Sequence, residues 1–442
     1  MEDTLTFQRR FPLSRPQSRE RALLILAGGF IFTGFLQLGL ANPLGVAPAL
    51  YVLAVMLWAA AFAAAHLALN RTLADRDPLI LPVVGLLSGW GLLEVARLSR
   101  SDFPRQMVWL AIGVTVMLVV AAAPRELRWL RRYRYTWLIG GLALLAATFV
   151  FGVNPSGYGQ TLWLGIGGVY FQPSEVVKLL MVVFLASYLA EKRDLLLVTS
   201  AHTLARAHRA GVRVPLGSLR PAYLAPMLAM WGVAMAMLLI QQDLGAAILL
   251  FLAFLAMLYL ASGKWPYLLV GGALLIAAAL IGYRVVDRVA ERVDTWLNPW
   301  DTFDVQSYQV VQSLIGIGAG GLIGQGLGLG DPIVPAAHTD MPLAVIGEEF
   351  GLAGAAGLVA CYALLTLRGL RAAARSRTVF GELLAAGLAT LLGLQAWIIM
   401  AGNVNLVPLT GITLPFVSYG GSSMLVSFLT VGLLLHVSAD SD

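Results

Sequence analysis

Four groups of polar residues interrupt an otherwise apolar chain. The first is Gln172-Pro173-Ser174-Glu175-Val176-Val177-Lys178. Pro173 suits the first turn of a helix, and Ser174 and Glu175 suit its positive end. Glu175 and Lys178 are three residues apart, so they share a helix face and can pair. As an ion pair in an apolar run they are candidates for handling a charged substrate; the plainer reading is a structural pair at a helix start. The second group is Gln241-Gln242-Asp243-Leu244-Gly245, where Asp243 is either a site acid or a helix cap. The third is His338-Thr339-Asp340, followed by Glu348-Glu349. His-x-Asp is half of a metal site, but no second His lies near, and helix capping explains it as well. The fourth runs from Asn403 through Thr410, Ser418 and Ser422 to Ser423, with Pro408, Gly411, Pro415, Gly420 and Gly421 breaking the apolar pattern. Broken backbone at membrane depth is tolerated only against protein or a water-filled cavity, which suggests the wall of a polar pocket.

The elements that position these groups follow from composition. Of 442 residues, 59% are hydrophobic and 12% charged, against about 25% charged in a soluble domain. A soluble enzyme, a nucleic-acid-binding domain and a disordered chain are thereby excluded. The single cysteine, Cys361 in Gly-Leu-Val-Ala-Cys-Tyr, excludes a disulfide framework and reads as an inert core thiol. Windows of about 20 apolar residues predict twelve membrane-spanning helices, near 22–41, 48–69, 79–97, 106–123, 135–153, 174–191, 221–240, 244–262, 266–283, 342–366, 381–401 and 412–436. The first follows a basic stretch like a signal peptide but is long, lacks a clear cleavage site and reads as a retained helix. The expected fold class is an all-α polytopic membrane protein.

Twelve spans place both termini on one side. Alternate loops then divide the 30 Lys and Arg residues 23 to 6, with Lys178 inside a span. The basic side, holding both termini, is cytoplasmic by the positive-inside rule, and all four polar groups fall on the other side. The cytoplasmic loop 192–220 reads as a basic segment drawn to anionic headgroups of membrane lipids. The outer loop 284–341 contains Trp296, Trp300, Phe303 and Tyr308 and predicts short helices lying at the outer membrane face. Eight glycines in residues 316–330 lack the Gly-Lys-Ser/Thr ending of a phosphate loop and predict close backbone packing; Gly351, Gly354 and Gly357 read as helix packing. Outward-facing carboxylates, amides and a lysine suggest a polar, anionic substrate handled at the outer leaflet.

The motifs resemble those of the SEDS family (shape, elongation, division and sporulation). The resemblance rests on Trp163-Leu164-Gly165, Phe171-Gln172-Pro173-Ser174-Glu175-x-x-Lys178, Gln241-x-Asp243-Leu244-Gly245 and Tyr308-Gln309-x-x-Gln312-Ser313. It continues through the glycine run from Gly318, Pro335-x-x-His338-Thr339-Asp340, Glu348-Glu349-x-Gly351 and the block from Pro408 to Ser423. It spans roughly 79–436. It implies a ten-span core at 76–442, here preceded by a cytoplasmic segment 1–21 and two extra helices within 22–75. It also implies a glycosyltransferase of the bacterial cytoplasmic membrane that polymerises lipid II into glycan strands beside a class B penicillin-binding protein.

The resemblance implies that an aspartate of the outer loop is the base. The family pattern of Asn-Pro-Trp, one residue, then Asp has Thr302 at the acid position here, flanked by Asp301 and Asp304. Lys178, held by Glu175, and Arg292 are implied as partners of the anionic leaving group. A divalent cation, Mg or Mn, suits the same pyrophosphate. The expected substrate-binding residues are Trp163, Gln172, Asp243, Arg292, Gln309, His338, Thr339, Asp340, Asn403, Thr410, Ser418 and Ser422. Leu162 stands where the family commonly has an arginine. Twelve spans with broken helices and buried charges also fit a transporter or flippase of a lipid-linked precursor. A third reading is a scaffold for a partner synthase.

Overall fold

The computed structural model describes residues 16–440, except 43, 124–126, 156, 158–159, 199–220, 302, 304–306, 331–333 and 335. Its helices are α1 (Pro16–Ala41), α2 (Pro48–Thr72), α3 (Ile80–Leu98), α4 (Phe103–Ala121), α5 (Arg128–Arg132) and α6 (Arg134–Phe151). After a small sheet come α7 (Pro173–Val198), α8 (Pro221–Ile240), α9 (Leu244–Ser262), α10 (Pro266–Val285), α11 (Asp287–Leu297) and α12 (Tyr308–Gly320). The chain ends with α13 (Ala337–Asp340), α14 (Pro342–Arg375), α15 (Val379–Asn403) and α16 (Gly421–Ala439). Eleven helices among the described residues are long and apolar enough to cross a membrane. The twelfth expected span is α8, whose apolar stretch Ala225–Ile240 is shorter. The protein is a multi-pass membrane protein.

Capping sets several boundaries. Asp243 accepts from Ala246 N at 3.1 Å to start α9, and Gly263 ends it at φ 66°. Thr378 accepts from Gly381 N at 3.0 Å to start α15. In the bundle α14 packs along α15, α4 along α16, and α7 against α6, α9 and α15. Small residues allow close approach: a Cβ at Gly113 of α4 would lie 2.4 Å from Phe428 of α16, and one at Gly91 of α3 would lie 2.4 Å from Phe416 O in the irregular segment before α16. α10 touches mainly α9 and α11, and its apolar side chains face outward, as lipid-facing residues do.

The structure corrects several expectations. The all-α polytopic plan itself stands; a small three-stranded antiparallel sheet, β1 (Gly152–Val153), β2 (Trp163–Ile166) and β3 (Val169–Phe171), adds to it between α6 and α7. The last span begins at Gly421 rather than 412, because 404–420 stays irregular and carries the polar block. Short helices do fill the loop 284–341, but α12 packs into the protein against α14, burying Val310, Val311 and Ser313. Gly351 does not serve helix packing: it breaks α14 at φ 65°, ψ −165°. Among the described residues a Cβ at Gly357 would meet nothing within 4 Å, and one at Gly354 would meet only side chains of its own helix, Phe350 and Ile346. The basic loop lies outside the described residues from 199 to 220.

The two extra helices are built into the bundle. α1 packs on α3, with Ile31 against Gly89, and α2 packs on α4. Arg76 donates to Glu20 Oε1 at 2.5 Å and to Asn70 Oδ1 at 2.9 Å, so side chains bridge the boundary drawn at residue 75.

Candidate active site at the face formed by the helix ends

The alternating helices bring one set of ends together: the C-termini of α3, α6, α8, α10 and α15 with the N-termini of α4, α7, α9, α14 and α16. The four polar groups meet here. At the start of α7, Gln172 N donates to Ser422 Oγ at 2.8 Å, and Ser174 Oγ donates to Asp243 Oδ2 at 3.1 Å. Gln172 Nε2 lies 3.5 Å from the same Asp243 oxygen. Asp243 is therefore both helix cap and junction of the α7 and α9 starts. One turn deeper, Lys178 Nζ donates to Glu175 Oε1 at 2.9 Å and Gln395 Oε1 at 3.3 Å, with both charged side chains buried. Gln395 Nε2 passes the link to Thr413 O at 2.8 Å, and Thr413 Oγ1 donates to Ser423 Oγ at 2.7 Å.

The terminal block is wired internally. Asn403 is fully buried: its amide donates to Asp340 O at 2.8 Å and accepts from Leu343 N at 3.1 Å. Ser418 Oγ donates to Thr339 O at 2.5 Å and accepts from Leu414 N at 2.9 Å. Tyr419 N donates to His338 O at 2.7 Å. Asn403, Ser418 and Ser422 thus hold the shape of the site, with the hydrogen bonds named here made to protein. Thr339 carries the same backbone role. His338 Nε2 lies 3.7 Å from Asp102 Oδ2; burial lowers the imidazole from its ordinary value and Asp102 pulls it back up.

Beside this scaffold, α11 crosses the face. Arg292 Nη1 donates to Thr410 O at 3.1 Å, and Trp296 exchanges two hydrogen bonds with Asn405, at 3.1 and 3.0 Å. Between α11 and the block lies a cavity of about 340 Å³ lined by Arg288, Glu291, Arg292, Gln309, Asp340 and Gly411, among others. Burial raises the Asp340 carboxyl above the ordinary aspartate range, while Thr339 and Arg292 lower it. Burial lowers Arg292, helped by Arg288, and Asp243 and Asp340 oppose this. Two guanidiniums beside two acids, Glu291 and the desolvated Asp340, suit a substrate that carries both anionic and hydroxyl groups.

Other expected residues lie apart. Trp163 sits in β2 opposite Val153. Asp301 is exposed in the turn that follows α11, and Asp304 is outside the described residues. No group of three or more His, Cys, Asp or Glu side chains among the described residues could hold a metal ion. Sequence reasoning passed over Gln395, a lone polar group inside an apolar span that the depth argument applied to Lys178 would have caught. It also passed over Arg97, counted as a loop charge but 3% exposed and bonded to Glu349 Oε1 at 2.6 Å.

Comparison with known proteins places this geometry. Residues 79–442 match the family described as cell cycle protein, FtsW/RodA/SpoVE. The chain is 38% identical over 388 residues to the peptidoglycan glycosyltransferase RodA of Mycobacterium leprae, covering 85% of this chain and 81% of the relative. It is 36% identical over 337 residues to the probable peptidoglycan glycosyltransferase FtsW of Geobacter sulfurreducens, covering 76% and 84%. Among solved structures, the rod shape determining protein RodA of Thermus thermophilus is similar at TM-score 0.57 and 26% identity, covering 83% of this chain and 97% of that one. A chain from a study of the structural coordination of polymerization and crosslinking by a peptidoglycan synthase complex is similar at TM-score 0.67 and 25% identity, covering 83% and 98%. The chain belongs to the FtsW/RodA/SpoVE family of cell cycle proteins.

Proposed function

We propose that this protein is a peptidoglycan glycosyltransferase that polymerises lipid II at the outer face of the bacterial cytoplasmic membrane. The observation that carries the reading is the cavity that Arg288 and Arg292 line together with Asp340 and Gln309, beside the third and fourth polar groups. The 23 to 6 division of Lys and Arg supports this face being outside and both termini being cytoplasmic.

In the reaction, the 4-hydroxyl oxygen of the acceptor sugar forms a bond to the anomeric carbon of the lipid-linked donor. The bond from that carbon to the pyrophosphate oxygen breaks, and the leaving group takes the electron pair. The hydroxyl proton goes to a general base, for which Asp301 and Asp304 are the outer-loop candidates. Arg292, aimed by its bond to Thr410 O, and Arg288 neutralise the pyrophosphate. The buried Lys178–Glu175 pair fixes the start of α7 and, through Gln395, the terminal block. A Mg or Mn ion would add positive charge at the leaving group. Glu291 and Asp340 are the acids lining the cavity, so such an ion would share its ligands with the substrate's pyrophosphate rather than sit in a protein cage.

A class B penicillin-binding protein is the proposed partner, on the strength of the similarity to a chain of a synthase complex that coordinates polymerization and crosslinking. The test is polymerisation of labelled lipid II by the purified full-length chain, beside a vesicle assay. Polymer supports the transferase. Movement of lipid II across vesicles without polymer would replace it with a transporter, and neither activity with partner binding retained would leave a scaffold.

A further inference from the structure

The glycine segment 321–330 follows α12 and leads towards α13, so it joins the two elements that bring Gln309 and Asp340 to the cavity. Three sets of contacts hold it. The break of α14 at Gly351 frees backbone groups that an unbroken helix would use itself. Gln325 N and Gly326 N donate to Glu348 O and Glu349 O at 2.9 Å, while Leu352 N and Ala353 N donate to Gly321 O and Leu322 O at 2.9 and 3.1 Å. Interrupted helices at membrane depth need such partners.

The second set is a buried ion pair. Arg97 of α3 donates from Nε to Glu349 Oε1 at 2.6 Å and from Nη2 to Gly330 O at 2.5 Å, and the same Glu349 oxygen accepts from Gly328 N at 3.1 Å. One guanidinium thus ties the segment's end to the broken helix. The third set comes from the first of the two extra helices. Gln37 Nε2 of α1 donates to Leu327 O at 3.1 Å. A Cβ at Gly34 would meet Leu93 at 2.7 Å and Leu327 at 3.4 Å, so α1 is pressed against both α3 and the segment. Phe30 of α1 and Phe350 of α14 each meet the Trp90 ring edge-on at 5.3 Å, closing the same region.

We propose that Arg97 and Gln37 are positioning residues for the cavity: together they latch segment 321–330 and so set where Gln309 and Asp340 stand. This makes α1 part of the working transferase. The proposal rests on the transferase reading above. The competing account is that Arg97 only neutralises buried acids, Glu349 and, one turn back on its own helix, Glu94. Lysine separates the two, because it keeps the charge but cannot reproduce the two-ended guanidinium contact.

The experiment uses the purified full-length chain with Arg97→Lys and, separately, Gln37→Leu. It measures hydrogen exchange of peptides covering 321–340, and kcat and KM for lipid II polymerisation per folded molecule. The proposal expects exchange at Gln325 and Gly326 to rise about tenfold or more in both variants while α4 and α16 stay protected. It expects kcat/KM to fall about ten- to a hundredfold, as a displacement near 1 Å produces. Unchanged exchange, or faster exchange with wild-type kcat/KM, would overturn it. Should Arg97→Lys not accumulate in the membrane, Gln37→Leu decides on the same readouts. A wild-type chain that makes no polymer would remove the transferase reading, and the exchange comparison would still decide whether the latch exists.

Discussion

Lys178 Nζ donates to Glu175 Oε1 at 2.9 Å inside the helix bundle, and the same ammonium reaches Gln395 Oε1 at 3.3 Å. Removing one member of a buried pair leaves an uncompensated charge, which costs about 3–5 kcal/mol, whereas replacing both is often close to neutral. Glu175→Gln and Lys178→Met should therefore each lower the melting temperature and membrane abundance more than the double variant does. A double variant no better folded than either single one would refute the pairing.

The glycines make opposed predictions. A Cβ at Gly320 would lie 1.9 Å from Gly347 O, and one at Gly324, where φ is 83°, would lie 2.2 Å from Glu349 O. Gly320→Ala and Gly324→Ala should destabilise by about 1–3 kcal/mol, as overpacking does. A Cβ at Gly357, in mid-helix, would meet nothing within 4 Å among the described residues, so Gly357→Ala should be neutral or gain up to about 1 kcal/mol. Thermal melts of the three variants check this; equal effects would contradict the close approach of segment 321–330 to α14.

Asp340 gives a pH dependence of stability. Burial raises its folded carboxyl above the unfolded value of about 3.9. Between those two values the folded chain binds more proton than the unfolded one, so stability falls as pH rises through that window and stays lowered above it. Asp340→Asn leaves the backbone bond from Asn403 possible and should flatten this slope. Melting temperatures across the window, wild type beside variant, test it, and parallel curves would count against a desolvated Asp340.

Topology is open to cysteine labelling in a Cys361→Ala background. Leu297, 59% exposed at the end of α11, should as cysteine react with an impermeant reagent on intact cells. A cysteine at the exposed Arg377, between α14 and α15, should react only after permeabilisation. The opposite pattern would invert the assignment of sides.

Much of this fold was legible because hydrocarbon thickness fixes span length, and the spacing of Glu175 and Lys178 fixes a shared helix face. Convergence of the four polar groups followed from counting which helix ends share a side. The rest lay beyond local patterns. Strands of two to four residues such as Gly152–Val153 carry no periodicity. Hydropathy does not register backbone conformation, so 412–420 read as helix and the break at Gly351 as packing. Arg97 and Glu349 are 252 residues apart, and only the packing of α3 beside α14 joins them.

The central claim is tested most directly by lipid II polymerisation with purified wild type, Asp301→Asn and Asp304→Asn at matched membrane abundance. Asparagine keeps the shape of the side chain and removes the proton acceptor. Wild type should make polymer; one variant should lose nearly all activity, by about 10²–10⁴-fold as expected for a general base, and the other only part of it. Full activity in both variants would contradict an outer-loop base and move that role to Asp340 or Glu175, and no polymer from the wild-type chain would contradict the transferase itself.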